Sequence, residues 1–328
     1  MTFLARANAF GARAIDSEDA EVILSPEADG SGYWIGCPSV LYEPEHGRFL
    51  LTCRERRPRG ATSDRGWRCS VLASDDGANF KEIWHIDKEQ LSSTSMERFS
   101  LVPAPEGSGY LLYISYVDPA DNRWRIDVLP SEEVDGFDPS RAIPVLSALS
   151  TGTEGVKDPW LCRVGPALYM YASFASAETL ADGDRSRAHE QADIYNAGVT
   201  THPTGLATSL DGIHFDWRGE ALGVGRGWDR YQARLTTVVA LDGAYVGIYD
   251  GSQSAAENYE EKTGLAVTTD LANWQSVSPG GPWSTSPHAT GALRYADAVV
   301  VDGEVWVYFE CARPDGSHDL RLSKLARS

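Results

Sequence analysis

The stretches VLASDDGANF (71–80), GLATSLDGIHF (205–215) and GLAVTTDLANW (264–274) repeat one pattern, in which an apolar run, a short polar turn and an aromatic residue follow each other. A weaker copy, DVLPSEEVDGF, spans 127–137, and a shortened run, LRLSKL, spans 320–325. In chain order the five runs lie 57, 77, 59 and 55 residues apart. Self-similarity at such a spacing is typical of repeat architectures, so the fold is predicted from the repeat.

A candidate β-hairpin precedes each copy, with two short β-rich runs around Gly, Pro or Asp-Gly turn residues. The five hairpins read PSVLYEPEHGRFLLTCR, SLVPAPEGSGYLLYISY, PWLCRVGPALYMYASF, LTTVVALDGAYVGIYDG and ALRYADAVVVDGEVWVYFEC. Five units of four strands predict an all-β chain that forms a single five-bladed β-propeller. One domain is expected over 1–328, with blades at about 31–90, 91–145, 150–222, 228–280 and 285–328. A short helix is expected within 178–196.

The fifth unit ends at LRLSKLARS and therefore lacks its own outer strand. Residues 1–30 form an N-terminal extension, and its segment EVILS (21–25) has no partner in the first unit. Pairing this segment onto the fifth unit would cover an exposed strand edge. We therefore predict that the N-terminal segment supplies the outer strand of the last blade.

Composition excludes several classes of protein. The chain has 328 residues, of which 42% are hydrophobic and 23% charged, which is enough apolar surface for a packed core. No apolar run is long enough for a membrane span, and no signal-peptide core is visible, so a cytoplasmic protein without a membrane partner is expected. The net charge of −18 argues against a nucleic-acid partner. Five cysteines without CxxC spacing make a disulfide framework or zinc site unexpected.

Propeller geometry places the start of each first strand and the end of each second strand on one face, around the axis. Charged residues recur at these places, with arginines in four different units: Arg54, Arg98, Arg234 and Arg294. Buried charge is costly unless it is paired or used. One interpretation is a ligand pocket at the channel mouth, and the other is a set of structural Arg–carboxylate pairs that tie blades together.

At these residues the pattern resembles the five-bladed propeller glycosidases, a group with arabinanase- and xylosidase-like, invertase-like and mannoside-phosphorylase-like members. The resemblance covers roughly 30–326. It rests on the number of units, on the turns at 74–80 and 209–215, and on Lys157-Asp158-Pro159 at the opening of a strand. It implies a glycoside hydrolase with an axial pocket that binds a carbohydrate substrate. Arabinanase-like enzymes place an Asp-Pro, whose Asp is the general base, where this chain has Cys37-Pro38.

Cleavage of a glycosidic bond requires carboxyl groups that act as acid and as base or nucleophile. The candidates are Glu97 and Asp158, on the first strands of adjacent units, followed by Glu310 and Asp250; either of the first two is a candidate for the acid. Candidates for binding the substrate are Arg54, Arg98, Lys157, Trp160, Arg234, Asp250 and Arg294. Trp160 suits either stacking on a sugar or packing in the core, and Cys37 suits a small buried residue better than a nucleophile.

Phosphorylases of this group use phosphate as the nucleophile, and clustered arginines also suit an anionic sugar. The alternatives to hydrolysis are therefore phosphorolysis and carbohydrate binding without catalysis. No cofactor is expected; a structural cation in the channel is the alternative, with His288 as a weak candidate ligand. The loops at 54–68, 175–204 and 250–263 are expected on this face, where they would wall one side of the pocket, with His189, Tyr195 and Tyr259 as candidate contacts. The alternative interpretation is that they are solvated insertions or oligomer contacts. The sequence sets no oligomeric state.

Overall fold

The computed structural model describes residues 14–326 except 106, 108, 242 and 243. Residues 1–13 of the N-terminal extension and the Asp242-Gly243 turn of the fourth hairpin lie outside the described residues. The described chain is all-β. Its strands are β1 (Glu21–Leu24), β2 (Trp34–Glu43), β3 (Arg48–Arg57), β4 (Arg65–Ser74), β5 (Lys81–Asp87), β6 (Ser100–Pro103), β7 (Tyr110–Val117), β8 (Trp124–Ser131), β9 (Ile143–Leu146), β10 (Val156–Val164), β11 (Ala167–Phe174), β12 (Thr204–Ser209), β13 (Asp216–Leu222), β14 (Gln232–Leu241), β15 (Ala244–Ser252), β16 (Lys262–Thr268), β17 (Gln275–Ser276), β18 (Leu293–Val301), β19 (Glu304–Ala312) and β20 (His318–Ala326).

Helical structure is short in the part of the chain that the structure describes. Helix α1 spans Ala148–Thr151 and α2 spans Arg185–His189. Single 3₁₀ turns span Lys88–Leu91, Pro139–Arg141, Asp182–Asp184, Ile194–Asn196 and Ala255–Glu257. Helix α2 lies within 178–196, so the short helix predicted there is confirmed. No helix of the described residues is long and apolar enough to cross a membrane.

The strands form four-stranded antiparallel groups in sequence order. Three are separate sheets: β6-β7-β8-β9, β10-β11-β12-β13 and β14-β15-β16-β17. The groups β2-β3-β4-β5 and β18-β19-β20 share an eight-stranded sheet, in which one parallel pair, Trp34 with His318, joins β2 to β20. Strand β1 completes the last group by pairing antiparallel with β20, with Glu21 opposite Leu322. The pairing predicted for EVILS onto the last unit is confirmed.

The repeated polar turns have one geometry. Asp76 Oδ1 accepts the backbone N–H groups of Ala78 at 2.9 Å and Asn79 at 2.8 Å. Asp211 and Asp270 make the equivalent bonds in the third and fourth groups. Such Asx bonds satisfy the backbone of a tight turn locally, which explains why the Asp recurs. Gly77 has φ of +73°, a left-handed conformation that glycine adopts without strain.

A tyrosine of a neighbouring group holds each of these turns. The hydroxyls of Tyr308, Tyr113 and Tyr171 donate to the carbonyl oxygens of Gly77, Gly212 and Leu271 at 2.8 Å or less. Each tyrosine therefore bonds the turn of the group that follows its own, and Tyr308 of the last group bonds the turn of the first.

Apolar side chains fill the spaces between consecutive groups. Leu50 and Leu112 belong to the cluster between the first and second groups, and Leu51 and Leu320 to that between the last and first. The first strands of the groups meet in order, β2 with β6, β6 with β10, β10 with β14 and β14 with β18, and β18 also contacts β2. The starts of these five strands are therefore brought to one region, where the charged residues lie.

Candidate active site

The antiparallel register breaks near the start of the first strand in four groups. The breaks lie between Gly36 and Ser39, Lys157 and Trp160, Leu235 and Thr237, and Arg294 and Asp297. Bulges of this kind re-aim side chains and are common beside active sites.

Three of these bulges hold a non-glycine residue in the left-handed region: Cys37 with φ of 52°, Asp158 with 59° and Tyr295 with 52°. This conformation costs an ordinary residue of the order of 1–3 kcal/mol and clusters at functional sites. The bulges therefore mark this end of the strands as a candidate site.

The arginines at this end form ion pairs between groups. Arg234 of the fourth group lies 2.8 Å from Asp158 of the third and 2.7 Å from Asp250 of its own group. Arg294 bonds Glu261 at 2.6 Å and Glu310 at 2.7 Å. These contacts join neighbouring groups, as the structural interpretation of the arginines predicted. The cluster also contains polar atoms that these pairs leave without a hydrogen-bond partner among the described residues, such as Asp250 Oδ1.

Glu310 is engaged on both oxygens. Its Oε1 accepts from Arg294 at 2.7 Å and lies 2.8 Å from His318 Nδ1, and its Oε2 accepts from Arg54 and the Cys37 N–H, each at 3.2 Å. Burial would raise its pKa, but Arg294 and Arg54 hold the pKa well below the ordinary value. A carboxylate held in this way suits a structural role.

Asp158 is also fully engaged. Its Oδ1 accepts the backbone N–H of Arg98 at 3.2 Å, and its Oδ2 accepts from the Arg234 guanidinium at 2.8 Å. The Tyr295 hydroxyl lies 3.4 Å from Oδ2, and Lys157 Nζ lies 3.6 Å from it. The aspartate therefore connects the second, third and fourth groups.

Glu97 differs from the other carboxylates because its contacts are long. Its Oε2 lies 3.4 Å from the Tyr295 hydroxyl and 3.5 Å from Arg54 Nε, and its Oε1 lies 3.6 Å from Arg56. A charged hydrogen bond is normally 2.7–2.9 Å long, so none of these contacts is a tight ion pair. Burial acts to raise its pKa, but Arg54, Lys157 and Arg56 together lower the pKa below the ordinary value. Glu97 is therefore a carboxylate at neutral pH.

Asp250 has the opposite protonation tendency. Burial raises its pKa to about 6, because the pairing with Arg234 compensates only in part and Glu261 lies nearby. Its Oδ2 accepts from Arg234 and from the Tyr295 N–H, whereas its Oδ1 has no hydrogen-bond partner among the described residues. A carboxyl group with a pKa near the working pH and a free oxygen suits proton donation.

Lys157 and Cys37 complete the surroundings of Glu97. The Lys157 ammonium lies 4.2 Å from the ring centre of Tyr195 and 4.9 Å from that of Trp124. Cys37 Sγ lies 3.0 Å from Arg54 and 3.6 Å from Glu97 Oε2. Burial raises the pKa of this thiol far above its ordinary range, so Cys37 is a protonated side chain and a poor nucleophile.

Two predicted substrate contacts lie elsewhere. The Arg98 guanidinium donates to the Thr236 carbonyl at 2.7 Å and lies 3.1 Å from Asp297, so it crosses to the fourth and fifth groups. Trp160 donates to Asp297 at 2.9 Å and packs against Tyr171 in the core. For Trp160 the structure therefore matches the core alternative rather than stacking on a sugar.

Three loops meet above the charged cluster at Asp193. Asp193 Oδ2 accepts from Arg59 of the first group at 2.5 Å, from Tyr259 of the fourth at 2.5 Å, and from Asn196 of its own loop at 2.6 Å. The Tyr259 ring lies 3.9 Å from the Arg56 guanidinium, which itself faces Glu97. These loops thus lie beside the charged cluster, with Tyr259 against Arg56 and Tyr195 against Lys157.

The two histidine candidates, His189 and His288, are not in this cluster. His189 Nε2 lies 3.0 Å from Glu154, and the backbone N–H of His288 donates to Ser286 in the loop before β18. In the part of the chain that the structure describes, no three His, Cys, Asp or Glu side chains are grouped so as to hold a metal ion.

Sequence reasoning did not single out Tyr295, Glu261 or Arg56. Tyr295 follows Arg294 directly, and its position is equivalent to that of Asp158 in the bulge of the third group. Glu261 lies at the end of a loop whose path the sequence does not define. Arg56 is two residues beyond Arg54 in β3 and therefore shares its face, which is a signal that the sequence does offer.

Comparison with known proteins identifies the class of fold. No protein-family model and no curated protein matches the chain. Solved structures do match, and several of them are family 43 glycoside hydrolases. The chain shares their fold, as the resemblance predicted.

A thermostable family 43 glycoside hydrolase has a TM-score of 0.63 at 16% identity, over 93% of this chain and 92% of that chain. A β-xylosidase/α-arabinofuranosidase from a compost microbial metagenome, in complex with xylotriose, has 0.63 at 13%, over 93% and 94%. A Xanthomonas citri enzyme of this family, complexed with xylose, has 0.62 at 13%, over 100% and 94%.

Proposed function

We propose that this chain is a glycosidase that hydrolyses the terminal glycosidic bond of a carbohydrate at the mouth of a closed five-bladed propeller. The propeller proposal is supported by the four-stranded groups, by the contact of β18 with β2, and by the bond from Tyr308 to Gly77. A single domain accounts for these contacts, because each space between consecutive groups is filled by one apolar cluster.

The observation that carries the proposal is the loosely held Glu97. Its carboxylate is charged, buried and without a contact shorter than 3.4 Å among the described side chains. Arg54 NH1 and Arg56 Nε close by have no hydrogen-bond partner in the described residues. Buried polar groups are nearly always satisfied, so these groups indicate a polar occupant.

The chemistry then divides between two carboxyl groups. Asp250 donates a proton to the leaving oxygen as the bond between that oxygen and the anomeric carbon breaks. Water bonds to the anomeric carbon and loses a proton to Glu97. Glu97 then releases this proton to solvent and Asp250 takes one up from solvent, which returns both residues to their starting states. In this scheme Asp158 and Glu310, which are saturated by arginines, hold Arg234, Arg294 and Arg54 in place.

The proposed substrates are the ends of carbohydrate chains, because the protein loops joined at Asp193 cover the charged cluster. Glu97 is 3% exposed and Asp250 is fully buried, so a polymer cannot lie across these carboxyl groups. Pentosides come first as substrates, since structures with the same fold bind xylose and xylotriose.

A second candidate is phosphorolysis, favoured by the three cations around Glu97, namely Arg54, Arg56 and Lys157. Product release from aryl pentosides, xylo- and arabino-oligosaccharides, mannosides and uronic-acid glycosides, with and without orthophosphate, tests both. Phosphate-independent release of single sugar units supports hydrolysis. A strict requirement for phosphate replaces hydrolysis with phosphorolysis, and absence of release throughout the panel contradicts both enzyme functions in favour of carbohydrate binding alone.

A further inference from the structure

Beside the charged cluster, a row of neutral polar side chains lies between the third and fourth groups. His202 Nδ1 and Nε2, Gln232 Oε1 and Ser252 Oγ have no hydrogen-bond partner among the described residues. His202 and Gln232 are fully buried, and Ser252 is 1% exposed. An unpaired buried polar atom costs of the order of 1–3 kcal/mol. Four such atoms in one place therefore indicate a polar molecule that pairs with them.

Backbone pairing places these residues side by side. His202 and Gln232 form a parallel β-bridge, and Gln232 lies opposite Ser252 in the antiparallel pair of β14 and β15. Directly opposite residues in an antiparallel pair project their side chains from the same face. The row therefore crosses from the loop after β11 to the end of β15, at the end of the strands that holds the charged cluster.

The neighbours orient each group without using the free atoms. The Gln232 amide donates through Nε2 to Glu261 Oε1 at 3.0 Å, so its Oε1 must face away from that carboxylate. The His202 ring stacks on Tyr195 at 4.1 Å between ring centres and meets Tyr231 edge-on at 4.9 Å. The imidazole is thus held by its faces and edge while both nitrogens stay free.

The chemistry of the row suits hydroxyl groups rather than an ion. Burial lowers the pKa of His202 well below its ordinary value, and the nearby charges of Lys157 and Arg234 lower it further. A neutral imidazole offers one donor and one acceptor, the amide oxygen offers an acceptor, and the serine hydroxyl offers both. Neighbouring hydroxyls on a sugar ring need this mixture of donors and acceptors.

We propose that His202, Gln232 and Ser252 form a binding subsite for the hydroxyl groups of a sugar residue. For its class of ligand the subsite rests on the proposed function. Gln232 also bonds Glu261, which pairs with Arg294, so a sugar held here is one side chain away from the charged cluster.

Titration of D-xylose, L-arabinose and D-mannose into the full chain, followed by calorimetry and by the rise in melting temperature, tests the subsite. The variant His202→Phe keeps a ring against Tyr195 and removes both nitrogens. Its expected affinity is at least about tenfold weaker, in line with loss of hydrogen bonds to a buried ligand. The melting temperature without ligand should be unchanged or higher, because an apolar ring replaces an unpaired polar one.

Two further variants sharpen the test. Ser252→Ala removes only a hydroxyl and should weaken binding by a smaller factor. His214→Phe is the matched control, since this exposed histidine bonds Asp211 in a surface turn and should leave affinity unchanged.

The possible outcomes separate the subsite from the proposed function. Sugar binding that His202→Phe weakens, without turnover of any glycoside, supports the subsite and contradicts the enzyme. Turnover by the wild type with unchanged sugar affinity in His202→Phe overturns the subsite and leaves the enzyme standing. A wild type that binds none of the three sugars also overturns the subsite.

Discussion

The hydroxyl of Tyr295 lies 3.4 Å from Glu97 Oε2. The same hydroxyl accepts from Arg234 at 2.9 Å and lies 3.4 Å from Asp158 Oδ2. Glu97 is therefore connected to the arginine network mainly through a neutral donor and through long contacts with Arg54 and Arg56. This arrangement keeps the carboxylate charged while it stays free of tight partners, which a group that handles a proton of the reaction requires.

Glu97→Gln should abolish most turnover. We expect kcat to fall by about 10²–10⁴-fold, the usual contribution of a positioned acid or base, with a smaller change in KM. Steady-state kinetics on the best substrate of the panel measures this. Glu45→Gln, at an exposed position in the first group, is the matched control. Equal rates for Glu97→Gln and the control would remove Glu97 from the mechanism.

Tyr295→Phe should shift the pH profile of kcat/KM and leave the fold intact. Removing the hydroxyl deletes a donor to Glu97, so the pKa of this carboxyl should rise and the acidic limb of kcat/KM should move to higher pH. The aromatic ring over Arg234, at 3.7 Å, is retained. Measurement of kcat/KM down to the lowest pH at which both proteins stay folded checks the shift, and an acidic limb at its original position would contradict the bridging role.

Asp250→Asn should change how stability depends on pH. The pKa of Asp250 rises on folding from 3.8 to about 6, so its contribution to stability is full below about pH 4 and is lost as pH rises through 6. At about 1.4 kcal/mol per pKa unit, the wild type should lose about 2.5 kcal/mol relative to the variant between pH 4 and 7.

Denaturant unfolding of both proteins at the two pH values measures that difference. The stability difference between wild type and variant is compared at the two pH values. This comparison cancels the pH-independent effect of the substitution on the bond with Arg234. If the difference in unfolding free energy between wild type and variant stays constant from pH 4 to 7, or if the wild type gains stability relative to the variant, Asp250 does not titrate in this window as expected.

Arg98→Met should destabilise the fold without a specific effect on substrate binding. It leaves Asp297 as a buried charge that keeps its bonds to Trp160 and the Val40 N–H but loses its cation. Breaking a buried pair in this way costs about 3–5 kcal/mol. The free energy of unfolding and KM are measured for the same variants. The double variant Arg98→Met/Asp297→Asn should recover part of the lost unfolding free energy. A raised KM with unchanged stability would instead support the substrate contact predicted from sequence.

Asp193→Ala should loosen the loops above the cluster. The substitution removes the common acceptor of Arg59, Tyr259 and Asn196, so proteolytic cleavage within 175–204 should become faster and KM should rise. Limited proteolysis followed by mass spectrometry identifies the cut sites. Asp216→Asn, in an exposed position of β13, serves as control. A cleavage pattern identical to that of the wild type would mean that Asp193 does not hold the loops together.

Much of the fold was predictable because its signals are local. The Asp76, Asp211 and Asp270 turns bond their own backbones, so a few adjacent residues suffice to define them. The pairing of residues 21–24 with β20 was also predictable, since this segment had no partner in the first unit and the fifth unit offered an uncovered strand edge.

The candidate site was predictable only in outline. The repeat placed Glu97, Asp158, Arg234 and Arg294 at one end of the strands, but chain order does not tell which charges neutralise each other. Arg98 illustrates this limit, because its backbone lies at that end while its long side chain reaches Asp297. Rotamers and bulges decide the direction of such a side chain, and both depend on the surrounding packing.

The sequence by itself thus determined the repeat, the strand order within each group and the types of residue at the axial end, because periodicity and turn chemistry act over a few residues. Only the tertiary structure decided that Glu310 and Asp158 are saturated by cations while Glu97 and one oxygen of Asp250 are left free. The protonation states follow from that difference, since burial and the distance to each guanidinium control the pKa of a carboxyl group, and both are properties of the folded chain.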